Sequence, residues 1–235
     1  MPLLVDRNQV SRDVKALTVM MFAFACYQSL VMALLPLLMD DLALSETTVG
    51  IVQAIPGAFV LLLGAPVARL ANMRHRRTVQ ILGMALCVIS SVLYALAKNT
   101  ASLIIPQLMM GIGSTIFYGH ALSTSFRLAT DHEQHRIQGL LTALQGVGYF
   151  LGPIVGGYVS QLGYNAGFYT GAVLAGVGLV ATTQLTPSRD IEPSNGLLRD
   201  LLGSYERLYH VFTRRPTVLL GAGYVFASCF LLYVM

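Results

Sequence analysis

The sequence predicts an all-α fold, a polytopic membrane helix bundle, and three observations carry that prediction. Only 11% of the chain is charged and 55% is hydrophobic, whereas a soluble domain carries about 25% charged residues. The apolar residues gather into seven runs, 16–39, 49–70, 78–97, 101–126, 137–162, 168–185 and 217–235, each near the ~20 residues that a helix needs to cross a bilayer core. The charges lie between these runs and fall mostly on one side. The first six runs are joined by short connections, so successive helices run antiparallel.

That charge bias also orients the bundle. Arg7, Arg12 and Lys15 precede the first run, and Arg69, Arg74, Arg76 and Arg77 follow the second. Arg127 and Arg136 flank the next loop on that side, and Arg189, Arg199, Arg207, Arg214 and Arg215 follow the sixth run. The opposite side has Lys98 with Asp40, Asp41 and Glu46. The basic side, with the N-terminus, is therefore expected in the cytoplasm. The net charge of +4 follows from this bias and does not argue for nucleic acid. Cys26, Cys87 and Cys229 all sit in apolar runs and read as small packed hydrophobes, neither a disulfide framework nor a metal site.

Segment 1–15 is polar and lacks the pattern of a cleavable signal. Run 16–39 carries Tyr27, Gln28 and Ser29 near its middle. A glutamine at mid-bilayer is costly without a partner or a wet cavity. Gln28 therefore reads as a cavity-lining group or as an interhelical hydrogen bond. Run 49–70 holds Gln53, Pro56, Gly57 and Gly64 and leads into the Arg69–Arg77 cluster, which by itself reads as an anchor at anionic headgroups.

Run 101–126 holds Gln107, Gly111, Gly113, Tyr118 and His120. His120 lies about two turns from the basic boundary. An unperturbed pKa of about 6.5 suits proton coupling or a pH-sensitive gate. The plainer reading is a neutral imidazole bonded to a hydroxyl such as Ser123 or to a carbonyl, because no Asp or Glu lies in these runs. The loop Asp131-His132-Glu133-Gln134-His135-Arg136 packs its polar groups into one short stretch and reads as solvated.

Run 137–162 carries Gln145 and then Gly148, Gly152 and Gly156, spaced by four. That spacing makes a helix face without side chains, onto which another backbone can pack closely. Pro153 removes a backbone donor and crowds the carbonyl four residues back, so a bend is expected there. Run 168–185, with Gly171, Gly176 and Gly178, reads as packing. In 186–216, Pro187, Pro193, Asn195 and Gly196 break regular structure, and leucines and aromatics from Leu197 to Phe212 recur at helical spacing. This predicts an amphipathic helix along the cytoplasmic face. Pro216 then opens run 217–235, at a position where proline is tolerated.

Six runs, a long connector and the start of another bundle resemble the N-terminal half of a major facilitator superfamily transporter. Three local matches carry the resemblance. Gly148-x-x-x-Gly152-Pro153-x-x-Gly156-Gly157 is similar to the fifth-span motif of the family's antiporters. Gly64, Arg69, Arg74, Arg76 and Arg77 resemble its cytoplasmic signature loop, and Gln107 to Gly113 resembles its fourth-span motif. Two positions depart from the pattern: Ala68 stands where the loop usually has aspartate, and Gln107 where the fourth-span motif usually has arginine.

The resemblance implies a six-helix bundle of 3+3 inverted repeats over 16–185, a linker over 186–216, and a seventh span that begins a second bundle. It implies alternating access in the cell membrane, with outward movement of a small or drug-like solute held between the halves. Tyr27, Gln28, Gln53, Gln107, His120 and Gln145 are then the candidate cavity groups. Gly148, Gly152, Pro153, Gly156 and Gly157 form the pivot, and the Gly64–Arg77 loop belongs to the cytoplasmic gate. The expected partners are the bilayer, the solute and, if the chain is a fragment, a truncated product or a functional half, a second chain supplying the other half. No cofactor or metal is expected.

The alternative is a non-transporting membrane subunit that assembles with another protein. A seven-helix receptor would need the N-terminus outside, against the charge bias. A membrane enzyme would need a carboxylate pair or a nucleophile–base constellation, which these runs lack.

Overall fold

The structure is a computed structural model that describes residues 7–70, 76–128 and 134–186. Among these residues are six helices: α1 Arg7–Asp41, α2 Glu46–Leu70, α3 Arg76–Ala95, α4 Thr100–Leu128, α5 Gln134–Ser160 and α6 Tyr164–Thr183. All six are long and apolar enough to cross a membrane. Arg74, nearly all of the expected linker, its amphipathic helix and the run 217–235 lie outside the described residues, as do the side chains of Arg69 and Arg76.

The helices follow the apolar runs, with differences at their ends. At 35 residues, α1 begins well before the apolar run; at 1.5 Å per residue it is about 52 Å long, beyond the ~30 Å hydrocarbon core. Helix α6 starts at Tyr164, four residues earlier than hydropathy suggests. The α5–α6 turn is tight, with Leu162 N–H bonding to Val159 O and Gly163 N–H to Ser160 O. Gly163, at φ 111°, takes the left-handed backbone that this reversal requires.

Helix α1 is the hub, packing against α4, α5 and α6, while α3 packs between α4 and α6, and α2 rests on α4. The core is built on α1 residues such as Leu17, Phe24, Tyr27, Leu30 and Leu34, with Phe117 and Phe168 from α4 and α6. Phe24 stacks on Phe117 with ring centroids 3.7 Å apart. Large apolar side chains such as Ile51, Leu62, Phe150 and Val173 are exposed, while Gln107, His120, Ser90 and Ser91 are buried. That inversion is what lipid permits as a solvent. Close helix approach depends on missing side chains: a Cβ on Gly113 would lie 2.7 Å from Gly83 O, and one on Gly111 would lie 2.9 Å from Pro56 Cα.

Two of the helix ends satisfy orphan backbone groups locally. After α1, Leu44 N–H bonds to Met39 O and Ala43 N–H to Asp40 O, the paired bonds of a Schellman motif. Its left-handed position is filled by Ala43, at φ 52°, where glycine is the usual residue. Before α4, Asn99 Oδ1 accepts Ser102 N–H, while Ser102 Oγ accepts Asn99 N–H, a reciprocal cap. At the basic end, Asp13 Oδ1 accepts both the N–H and the hydroxyl of Thr186. Arg77 Nη2 there donates to the Thr183 carbonyl in the last turn of α6.

Candidate functional site

The glycines of α5 lie against α1. A Cβ added to Gly148 would lie 2.7 Å from Ala25 Cβ and 2.9 Å from Phe22 O. One on Gly152 would lie 2.5 Å from Cys26 O and 2.9 Å from Leu30 N, and would also strike Ser29 Oγ. One on Gly156 would lie 3.3 Å from Leu30 Cγ. Ser29 bridges the two helices, donating to Ala25 O within its own helix and lying 3.3 Å from Gly148 O across the seam. Pro153 and Gly157 do not share this contact: both are exposed, and a Cβ on Gly157 would meet nothing within 4 Å.

A polar cluster adjoins the seam. Gln28 Oε1 on α1 accepts from Tyr118 Oη of α4 at 2.6 Å and from Tyr149 Oη of α5 at 2.8 Å. The two phenol oxygens are themselves 2.6 Å apart, and Gln145 Nε2 reaches Tyr118 Oη at 3.4 Å. All four side chains are half-buried. Two phenol hydrogens cannot serve three oxygen–oxygen contacts at once, so the cluster is short of donors. Gln145 supplies one to Tyr118. The arrangement can exchange donors internally and can accept a hydrogen from a ligand. It holds no formal charge, so what it offers is hydrogen bonding.

Of the six candidate cavity groups, only Gln28 and Gln145 meet in this cluster. Tyr27, next to Gln28, turns into the core, where it is fully buried and lies 2.9 Å from Ser90 Oγ of α3. Gln53 is half-buried on α2. Gln107 is 1% exposed on α4, with Oε1 lacking a partner among the described residues. His120 is fully buried on the same helix, and its carbonyl accepts the Thr124 hydroxyl. In the loop region, Gly64 is half-buried near the end of α2, and Arg77 reaches the end of α6 as described. Among the described residues no group of three His, Cys, Asp or Glu side chains is placed to hold a metal.

Sequence reasoning passed over Tyr149 and did not connect Tyr118 to Gln28. The available signal was register. Tyr149 follows Gly148, so a helix that packs Gly148 on α1 carries Tyr149 about 100° around from that contact, toward whatever adjoins it.

Six membrane-length helices, an interior hydrogen-bonding cluster and a side-chain-free seam beside it define a polytopic membrane protein with the build of a solute transporter. The Major Facilitator Superfamily profile matches residues 17–235, and the chain belongs to that family of membrane transporters. Multidrug resistance protein 1 of Bacillus subtilis (strain 168) is 21% identical over 180 residues, covering 77% of this chain and 46% of the relative. Quinolone resistance protein NorA of Staphylococcus aureus (strain Mu50 / ATCC 700699) is 21% identical over 145 residues, covering 62% of this chain and 37% of the relative. The chain thus spans less than half the length of these relatives.

Proposed function

We propose that this chain forms the N-terminal bundle of a secondary transporter that exports drug-like solutes by alternating access, with its N-terminus in the cytoplasm. One observation carries the reading: the hydrogen-bonding cluster and the α1–α5 seam meet at consecutive residues, Gln28–Ser29 on α1 and Gly148–Tyr149 on α5. Any slide of α5 along α1 therefore moves Tyr149 relative to Gln28. Solute held at the cluster and movement at the seam are one mechanical unit.

The substrate class follows the relatives named for multidrug and quinolone resistance. An uncharged cluster also suits a range of solutes better than a fixed ion pair would. A second bundle, in the same or another chain, closes the site from its other side. Arg77, with Gly64, Arg69, Arg74 and Arg76, belongs to the cytoplasmic gate, and the orientation rests on the charge bias.

Accumulation of a lipophilic fluorescent dye in cells with and without the gene encoding this chain tests the reading. Lower accumulation with the gene, abolished when the membrane gradient is collapsed, is expected. Equal accumulation contradicts export.

A further inference from the structure

Away from the polar cluster, α1 and α6 leave a cleft of about 610 Å³ at the basic end of the bundle, lined by Arg12, Lys15, Val19, Gly176, Val177 and Val180 among others. That volume lies within the range of small-ligand sites, roughly 300–1,000 Å³. Its lining is graded along the helix axes. On α1, Arg12 and Lys15 come first and Val19 follows one to two turns deeper, about 10 Å from Arg12. On the other side, Gln184, which caps the end of α6, lies at the polar end, and Val177 and Gly176 of α6 lie at the apolar end. Among the described residues no carboxylate lines the cleft. The neighbouring acid, Asp13, is buried, accepts two hydrogen bonds from Thr186 and is not among the residues that line the cleft.

We propose that this cleft binds an anionic phospholipid of the leaflet on the basic side, with its phosphate between Arg12 and Lys15 and the first acyl carbons along Val19, Val177 and Val180. Two adjacent cations at headgroup depth select negative charge. The apolar floor beneath them, open at Gly176 where an added Cβ would meet nothing within 4 Å, selects a chain-bearing anion over a free one. Bound there, the lipid wedges against both α1 and α6 and ties the hub helix to the leaflet.

Native mass spectrometry of the purified chain, supplied with phosphatidylglycerol or phosphatidylcholine, tests this. Phosphatidylglycerol is expected to be retained preferentially. In the Arg12→Gln/Lys15→Gln double variant that preference falls by about 25-fold, at roughly five-fold per cation. Gly176→Phe fills the apolar end, leaves the charges in place and lowers retention of both lipids. Inorganic phosphate at millimolar concentration leaves the bound lipid in place. Equal preference in the wild type and the double variant, unchanged retention in Gly176→Phe, or displacement by inorganic phosphate overturns the proposal.

Discussion

Tyr149 on α5 donates its phenol hydrogen to Gln28 Oε1 on α1 at 2.8 Å, and the residue before it, Gly148, faces the Ser29 hydroxyl through its carbonyl at 3.3 Å. Hydrogen bonding across the bundle and close packing therefore share two consecutive residues on each helix.

The seam sets a sharp contrast between neighbouring glycines. Even a methyl at Gly152 meets the backbone of Cys26 and Leu30, so Gly152→Ala must push α5 off α1, an overpacking cost of about 1–3 kcal/mol. Gly157→Ala adds a methyl to open space and stays within about 0.5 kcal/mol of the wild type. Thermal unfolding followed by size-exclusion chromatography should separate the two variants. Equal midpoints would contradict the close contact.

Within the cluster, Tyr118 makes three of the contacts and Gln28 two. Tyr149→Phe and Gln28→Leu are each expected to reduce dye export. The double variant should lose less than the sum of the two single ones, because both remove the Gln28–Tyr149 bond while each also removes its own contact to Tyr118. Additive losses in a double-mutant cycle would mean that the two side chains act independently.

Ala43 occupies the left-handed position that closes α1, a conformation costing a residue with a Cβ about 1–2 kcal/mol. Ala43→Gly relieves that strain but raises the entropy of the unfolded chain, which folding must then remove. A net gain of about 0.5–1 kcal/mol is expected, read as a higher melting temperature. A lower one would contradict the assignment of strain.

Asp13 ties the start of the hub helix to the residue that follows the last turn of the bundle, through two bonds from Thr186. Asp13→Ala removes both bonds; Thr186 is exposed, so water takes up its N–H and hydroxyl, and the expected cost is about 0.5–1.5 kcal/mol. Asp13→Asn keeps one acceptor oxygen and should recover part of the loss. Proteolysis near residue 186 offers a local check, with faster cleavage expected in the alanine variant.

Much of the fold was legible because lipid imposes simple rules. A bilayer needs runs of about 20 apolar residues, and α1 to α6 coincide with six such runs. The α5 packing face was legible because a spacing of four stacks Gly148, Gly152 and Gly156 whatever their partner. What periodicity does not report is the rotation of one helix against another. Tyr27 and Gln28 are adjacent and both polar, yet one enters the core beside Ser90 and the other meets Tyr118 and Tyr149. The Gln28–Tyr149 bond joins residues 121 positions apart, and it exists only because α1 and α5 pack through their small residues. Pro153 and Gly157 belong to the same motif as Gly152, but the helix turns them outward, away from α1.

The most direct test of the central claim is the rate of dye efflux from preloaded, energised cells carrying Gln28→Leu, with membrane insertion of the variant checked by topology labelling. Efflux should fall to the level of cells lacking the gene while insertion and melting temperature stay close to wild type. Wild-type efflux from a correctly inserted Gln28→Leu protein would show that the solute does not pass through the Gln28–Tyr118–Tyr149 cluster.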